Sequence, residues 1–233
     1  MTPKGIVLHF TASTYGDRQQ IDEWHKANGW SGIGYHYVVM NGIRNNGDTY
    51  KPQLDGVLEK GRADNVMGAH CKAEGMNQCT LGISSVGSPN RVPHGATAAP
   101  ATLTTAAYLT QKQLDTMVTT AAQLCIRFGL EPAGTFSHEG KTHAVITQHS
   151  QHDPVNKPLC ASLQIANVRQ LIAAKVTQLK QHPGPEAEAD ITTFVAKPEM
   201  VEASLPEFTT EVGNTYGPDD LEMDVQPVVE YKM

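Results

Sequence analysis

The feature that most limits what this chain can fold into is an abrupt stop at His182-Pro-Gly-Pro185. Before it, segments with strand and helix periodicity alternate. After it, residues 186–233 hold scattered apolar residues with no sustained period. Such a stretch lacks the regular apolar surface that would offset the entropy of ordering it. The reading is therefore one α/β domain over 1–182, followed by an acidic segment over 183–233 that is either disordered or a small docking segment. Charge divides at the same place. Residues 183–233 carry twelve acidic against two basic residues, so with an overall charge of -6 the first 182 residues carry +4. A mildly basic body suits an anionic partner in general and does not by itself distinguish cell wall from nucleic acid.

Within 1–182 the elements follow from pattern. Gly5-Ile-Val-Leu-His-Phe10 is a short strand rich in β-branched residues, and Gly34 to Met40 is a second. Asp17 caps a helix running to about Asn28, with Ile21 and Trp24 facing inward. Asn45-Asn-Gly-Asp48 is turn chemistry and places a third strand near Thr49 to Lys51. Thr80 to Val86 is a fourth. Gly87 to Tyr108, rich in Pro, Ala, Thr and Gly, reads as a long loop. Thr110-Gln-Lys-Gln113 forms a capping box for a helix with Leu114, Met117, Val118, Ala121, Leu124, Cys125 and Phe128 on one face, ended by Gly129. His143 to His149 is a fifth strand, and a last helix carries Leu163, Val168, Leu171, Ile172, Val176 and Leu179. This order gives a central mixed β-sheet flanked by helices.

No apolar run approaches the ~18 residues of a membrane span. The N-terminus lacks the charged start, apolar stretch and cleavage site of a secretory signal. The expectation is synthesis in the cytoplasm. Four cysteines are too few for a disulfide scaffold. Cys125 belongs to a helix core. Cys71 and Cys79 flank a loop and either pair or stay free, with intracellular synthesis favouring free thiols. Cys160, among polar residues and histidines, is a candidate ligand. His9 and His149 lie at strand ends, with His152 just beyond. Two imidazoles and a thiolate make a zinc donor set that leaves a fourth position open. A histidine at a strand end is also a common hydrogen-bonded structural residue, so spacing alone does not choose.

The motifs together do. Ile6-Val-Leu-His-Phe-Thr-Ala-Ser13, Trp24-His25-Lys26, Gly29-Trp30, Gly34-Tyr-His-Tyr37, Gly61-Arg62, Gly68-Ala-His-Cys71 and Leu81-Gly-Ile83 stand in the order found in the type 2 N-acetylmuramoyl-L-alanine amidases. The chain resembles that family, with its phage T7-type lysozymes and peptidoglycan recognition proteins, from about residue 5 to 180. The resemblance implies a mixed sheet flanked by helices and a Zn2+ ion held by His9, His149 and Cys160. It also implies catalytic Tyr35 and Lys157, and His70 and Asn77 on the substrate side. His152 stays open as an alternative to His149, because some relatives place the zinc histidine eight residues before the cysteine. Two residues separate Lys157 from Cys160 and Ala161 follows, where relatives read Lys-x-Cys-Pro or Lys-x-Asp-Pro-Gly. The fourth strand carries serines where cytoplasmic muropeptide amidases place a Glu, which leaves Tyr35 and Lys157 as the acting groups.

The implied activity is hydrolysis of bacterial peptidoglycan between N-acetylmuramic acid and L-alanine, by a phage endolysin or a delivered antibacterial effector. A peptidoglycan-binding module without catalysis and a cytoplasmic muropeptide-recycling amidase are the alternatives. Nucleic acid is not an expected partner. An immunity or delivery protein is the expected partner for the acidic segment. His25, His36 and His94 read as structural or solvent-exposed. His138 and His143 border the last strand, where they can support a ligand.

Overall fold

The computed structural model describes residues 1–105 and 108–182; the acidic segment 183–233 lies outside the described residues. Strand β1 (Gly5–Phe10) is buried along its whole length. It runs parallel to β4 (Thr80–Ser85) on one side and to β7 (Ile146–Gln148) on the other. Strand β2 (Tyr37–Asn41) is parallel to β4 and antiparallel to β3 (Asp55–Lys60), giving the order β3-β2-β4-β1-β7. This is the mixed, helix-flanked sheet expected from the sequence.

Side chains alternate across a strand, and β1 shows what that does. Ile6, Leu8 and Phe10 enter the main core, shared with helix α2 (Gln111–Phe128) and helix α4 (Ile165–Gln181). Val7 belongs to a second cluster with Cys71, Met76 and Cys79. His9 shares Val7's parity, so it points away from α2 and α4. The other side is covered by helix α1 (Arg18–Ala27), which buries Ile21 against Ile33, Tyr35, Val38 and Val86 while Trp24 is only partly covered. Each large aliphatic side chain so buried contributes roughly 1.5–3 kcal/mol.

The caps form as the sequence requires. Asp17 accepts from the Gln20 backbone N–H at the start of α1. Thr110 and Gln113 form the reciprocal capping box of α2, and Gly129 closes it at φ 65°. The box also fastens the helix to the sheet: Gln113 Nε2 donates to the carbonyls of Val39 and Val86, and Thr110 Oγ1 donates to Asp55. Among the described residues, the stretch from Val86 to Thr110 holds no strand or helix apart from isolated bridges, as a loop should.

Two expectations are corrected. The third strand is Asp55–Lys60, not Thr49–Lys51; Pro52 interrupts the earlier stretch, and an edge strand reading Asp-Gly-Val-Leu-Glu-Lys carries little apolar alternation to reveal it. The single strand expected over His143–His149 is two. Lys141–Ala144 (β6) pairs with β5 (Thr135–His138) in a hairpin, and after Val145 the chain changes partner and joins β1 as β7. His149 then opens a single helical turn, α3 (His149–His152). All four cysteines are buried free thiols, so Cys71 and Cys79 do not pair.

His25 and His36 are structural. The Nδ1 of His25 accepts from the Gly34 N–H at 2.9 Å, and that of His36 accepts from the Gly82 N–H at 3.0 Å. Burial, the largest cause, pushes both pKa values down to about 4. The unfolded chain therefore binds more protons than the folded one between pH ~6.5 and ~4. Stability present above pH ~6.5 falls as pH drops through that window. Thermal unfolding of the chelated protein followed across pH 7 to 4 is expected to show a steady decline, reduced in a His25→Gln variant; a flat profile would contradict it.

Candidate metal centre

Register brings the site together. Leu8 pairs with Gln148 in the parallel β1–β7 ladder, so the next residues, His9 and His149, leave their strands abreast. Their rings are 4.7 Å apart in an edge arrangement. Cys160 arrives from the loop after α3, where Ser150 N–H donates to its carbonyl and the Tyr108 hydroxyl holds the next carbonyl at 2.8 Å. Its Sγ stands 3.7 Å from His9 Nδ1. One donor atom from each of His9, His149 and Cys160 lies within 4.8 Å of the others, and all three residues are buried. His152 is elsewhere, with Glu74 and His143.

Hydrogen bonding sets the tautomers. His70 Nε2 is 3.2 Å from the Thr80 carbonyl, which can only accept, so that nitrogen carries the proton. Burial holds both His70 and His9 well below the usual imidazole pKa, so both are neutral near pH 7. The bare His70 Nδ1 accepts from His9 Nε2, 3.0 Å away. His9 Nδ1 is then the unprotonated nitrogen, and its lone pair faces the Cys160 thiol at 3.7 Å. His149 Nε2 is buried and makes no hydrogen bond among the described residues. A lone pair, an orphaned imidazole nitrogen and a thiol converging in one buried place fit zinc, which takes such nitrogen and sulfur donors. Burial first and the Lys157 ammonium second push His149 down to about 4, so it too offers an unprotonated ring.

The other expected residues fall into two groups. Tyr35 is 4 % exposed, and its ring is 5.3 Å from that of His9. Burial is the main cause that lowers the pKa of His9 and of His149, and the Lys157 ammonium adds to it in both. His70 and Asn77 are engaged internally: Asn77 Oδ1 accepts from the backbone N–H groups of His70 and Cys71, both at 2.7 Å. The His70 ring is pressed between two glycines. A Cβ at Gly68 would lie 2.4 Å from its Cδ2, and one at Gly82 would lie 2.6 Å from its Cγ. That close approach explains why Gly68-Ala-His70 and Leu81-Gly-Ile83 read as motifs.

Sequence reasoning did not single out Ser84. It pairs with His9 across β1–β4 and shares its face, and its Oγ is buried without a hydrogen bond among the described residues. The missing signal was register, which places one serine of that strand beside the site.

The chain belongs to the N-acetylmuramoyl-L-alanine amidase family, whose model matches residues 1–160. It is 29 % identical to the endolysin of Enterobacteria phage T3 over 89 residues, 37 % of this chain and 49 % of the relative. It is 32 % identical to the endolysin of Escherichia phage T7 over 69 residues, 30 % of this chain and 36 % of that one. These matches span half or less of the length of the curated relatives. An endolysin N-acetylmuramoyl-L-alanine amidase from Clostridium intestinale shares the fold, with a TM-score of 0.51 and 22 % identity over 73 % of this chain and 83 % of that one.

Removing His70 frees the His9 ring to rotate and to change tautomer. Loss of such a support typically costs ten- to a hundred-fold in metal affinity. His70→Ala is expected to weaken zinc binding by about that factor in competition with a chromophoric chelator. An unchanged affinity would show that His9 is held by other means.

Proposed function

We propose that this chain is a zinc-dependent N-acetylmuramoyl-L-alanine amidase that opens the amide between the lactyl group of N-acetylmuramic acid and L-alanine in bacterial peptidoglycan. The observation that carries the reading is the convergence of His9, His149 and Cys160 beside Tyr35 in a chain of this family. His9, His149 and Cys160 would hold the ion. When bound, zinc supplies a Lewis acid that polarises an acyl oxygen and acidifies water toward neutral pH.

The chain's own residues supply the rest. The Lys157 ammonium, whose charge lowers the pKa of both histidines behind the effect of burial, stabilises negative charge as it grows on the carbonyl oxygen. The Tyr35 hydroxyl orients the attacking water or donates to the same oxygen. Water oxygen joins the carbonyl carbon, the C–N bond breaks, and a proton passes to the L-alanine nitrogen. His70 and Asn77, expected on the substrate side, also position His9 in this scheme, since the two nitrogens of the His70 ring engage His9 and the Thr80 carbonyl. Serines in β4 leave no carboxylate there to act as base, as the sequence implied.

The similarity to phage endolysins supports a lytic role on the cell wall over recycling of small muropeptides. Among the described residues, no helix is long and apolar enough to cross a membrane. The catalytic unit is assigned to 1–182, and the acidic segment 183–233 to partner binding; deleting 184–233 is expected to leave hydrolysis of purified wall nearly intact.

Purified sacculi incubated with the protein should release stem peptides bearing a new L-alanine amino terminus, identified by mass spectrometry. The release should stop on chelation and resume with zinc. Intact wall with tight binding would instead indicate a binding module, and cleavage between sugars would sink the amidase reading. Lys157→Ala and Tyr35→Phe are each expected to lower kcat by about 10²–10³ with zinc retained, the loss usual for one oxyanion donor. His9→Ala should lose both metal and hydrolysis.

A further inference from the structure

We propose a second divalent-cation site, distinct from the first, formed by Glu74, His143 and His152. The three come from separate segments: a 3-10 turn (Ala73–Gln78), β6 and the end of α3. One donor atom of each lies within 4.8 Å of the others. Glu74 Oε2 is 2.7 Å from His152 Nδ1 and 3.7 Å from His143 Nδ1. Zinc bonds of about 2.0–2.2 Å in tetrahedral geometry separate donors by roughly 3.3–3.5 Å. The two observed separations straddle that range, so sub-ångström shifts seat an ion.

The second polar atoms of His152 and Glu74 are engaged outside the cluster, leaving one donor of each for it. His152 Nε2 is bonded to Thr147 Oγ1 at 2.9 Å, and Glu74 Oε1 to Lys141 Nζ at 2.9 Å. A carboxylate–imidazole hydrogen bond accounts for Glu74 and His152, but not for His143. That side chain is 6 % exposed, its Nδ1 stands beyond hydrogen-bond distance of Glu74, and its Nε2 makes no hydrogen bond among the described residues. Nδ1 of that buried ring faces Glu74 without a hydrogen bond, a costly condition, and a cation shared with Glu74 and His152 gives that nitrogen a partner. Two imidazoles and one carboxylate favour zinc or a similar transition ion over magnesium or calcium, which take oxygen donors. Glu74, with its side chain 25 % exposed, is the entry point and leaves a coordination position for water.

An ion there clamps the turn and the β5–β6 hairpin onto α3, whose first residue is His149. The site therefore braces the segment that carries a ligand of the first centre without joining it.

The test is zinc stoichiometry of the full chain, stripped with chelator, re-equilibrated with zinc chloride and read by elemental analysis. Two ions per chain are expected for the wild type, and one each for Glu74→Gln, His143→Gln and His9→Ala. The Glu74→Gln change is isosteric at a partly exposed position, and circular dichroism checks its fold. One ion in the wild type that Glu74→Gln and His143→Gln both retain, or two retained in both, would overturn the proposal. Loss in those two variants with none in His9→Ala would leave this site standing and sink the assignment of the first.

Discussion

The parallel hydrogen-bond ladder of β4, β1 and β7 is the constraint from which the rest follows. Because β1 and β7 run in the same direction in fixed register, two histidines distant in the chain leave the sheet side by side. A one-residue slip would send every side chain of one strand to the opposite face and turn one of those imidazoles into the α2–α4 core. The apolar set Ile6, Leu8 and Phe10 prevents that slip, since the same slip would take it out of the α2–α4 core. Core packing and site assembly are thus enforced by the same register.

Neutral histidines extend the site into the fold. His25 and His36 accept from backbone N–H groups of the Gly34 and Gly82 segments, and His70 passes the polarity of the Thr80 carbonyl on to His9. Buried imidazoles serve here as paired polar groups that lock neighbouring loops. The glycines around His70 belong to the same device, because only a missing Cβ lets the ring approach β4 so closely.

Chain ends near the centre are fastened in several ways. The loop bearing Lys157 and Cys160 is tied by Tyr108 and by Gln148, whose Oε1 accepts from Leu163. The turn at Ala73–Gln78 places Asn77 under His70 and Glu74 against His152. A site built from loops on a rigid sheet is the usual way for a fold to carry chemistry.

Periodicity, caps and turn residues determined β1, β4, α1, α2 and α4 within a residue or two, because those signals are local: β-branched runs, Asp17, the Thr110–Gln113 box and Gly129. The motif order determined the family and, through it, the candidate residues His9, Tyr35, His149, Lys157 and Cys160. Tertiary structure alone decided the rest. It placed β3 at the edge, split the last strand at Val145, set His152 apart from His149, set Ser84 beside His9 and drew Glu74 to His143 and His152. Each of these depends on which strand a segment pairs with or which loops meet. Pairing partners are chosen by contacts across the whole domain, and a local pattern carries no record of them.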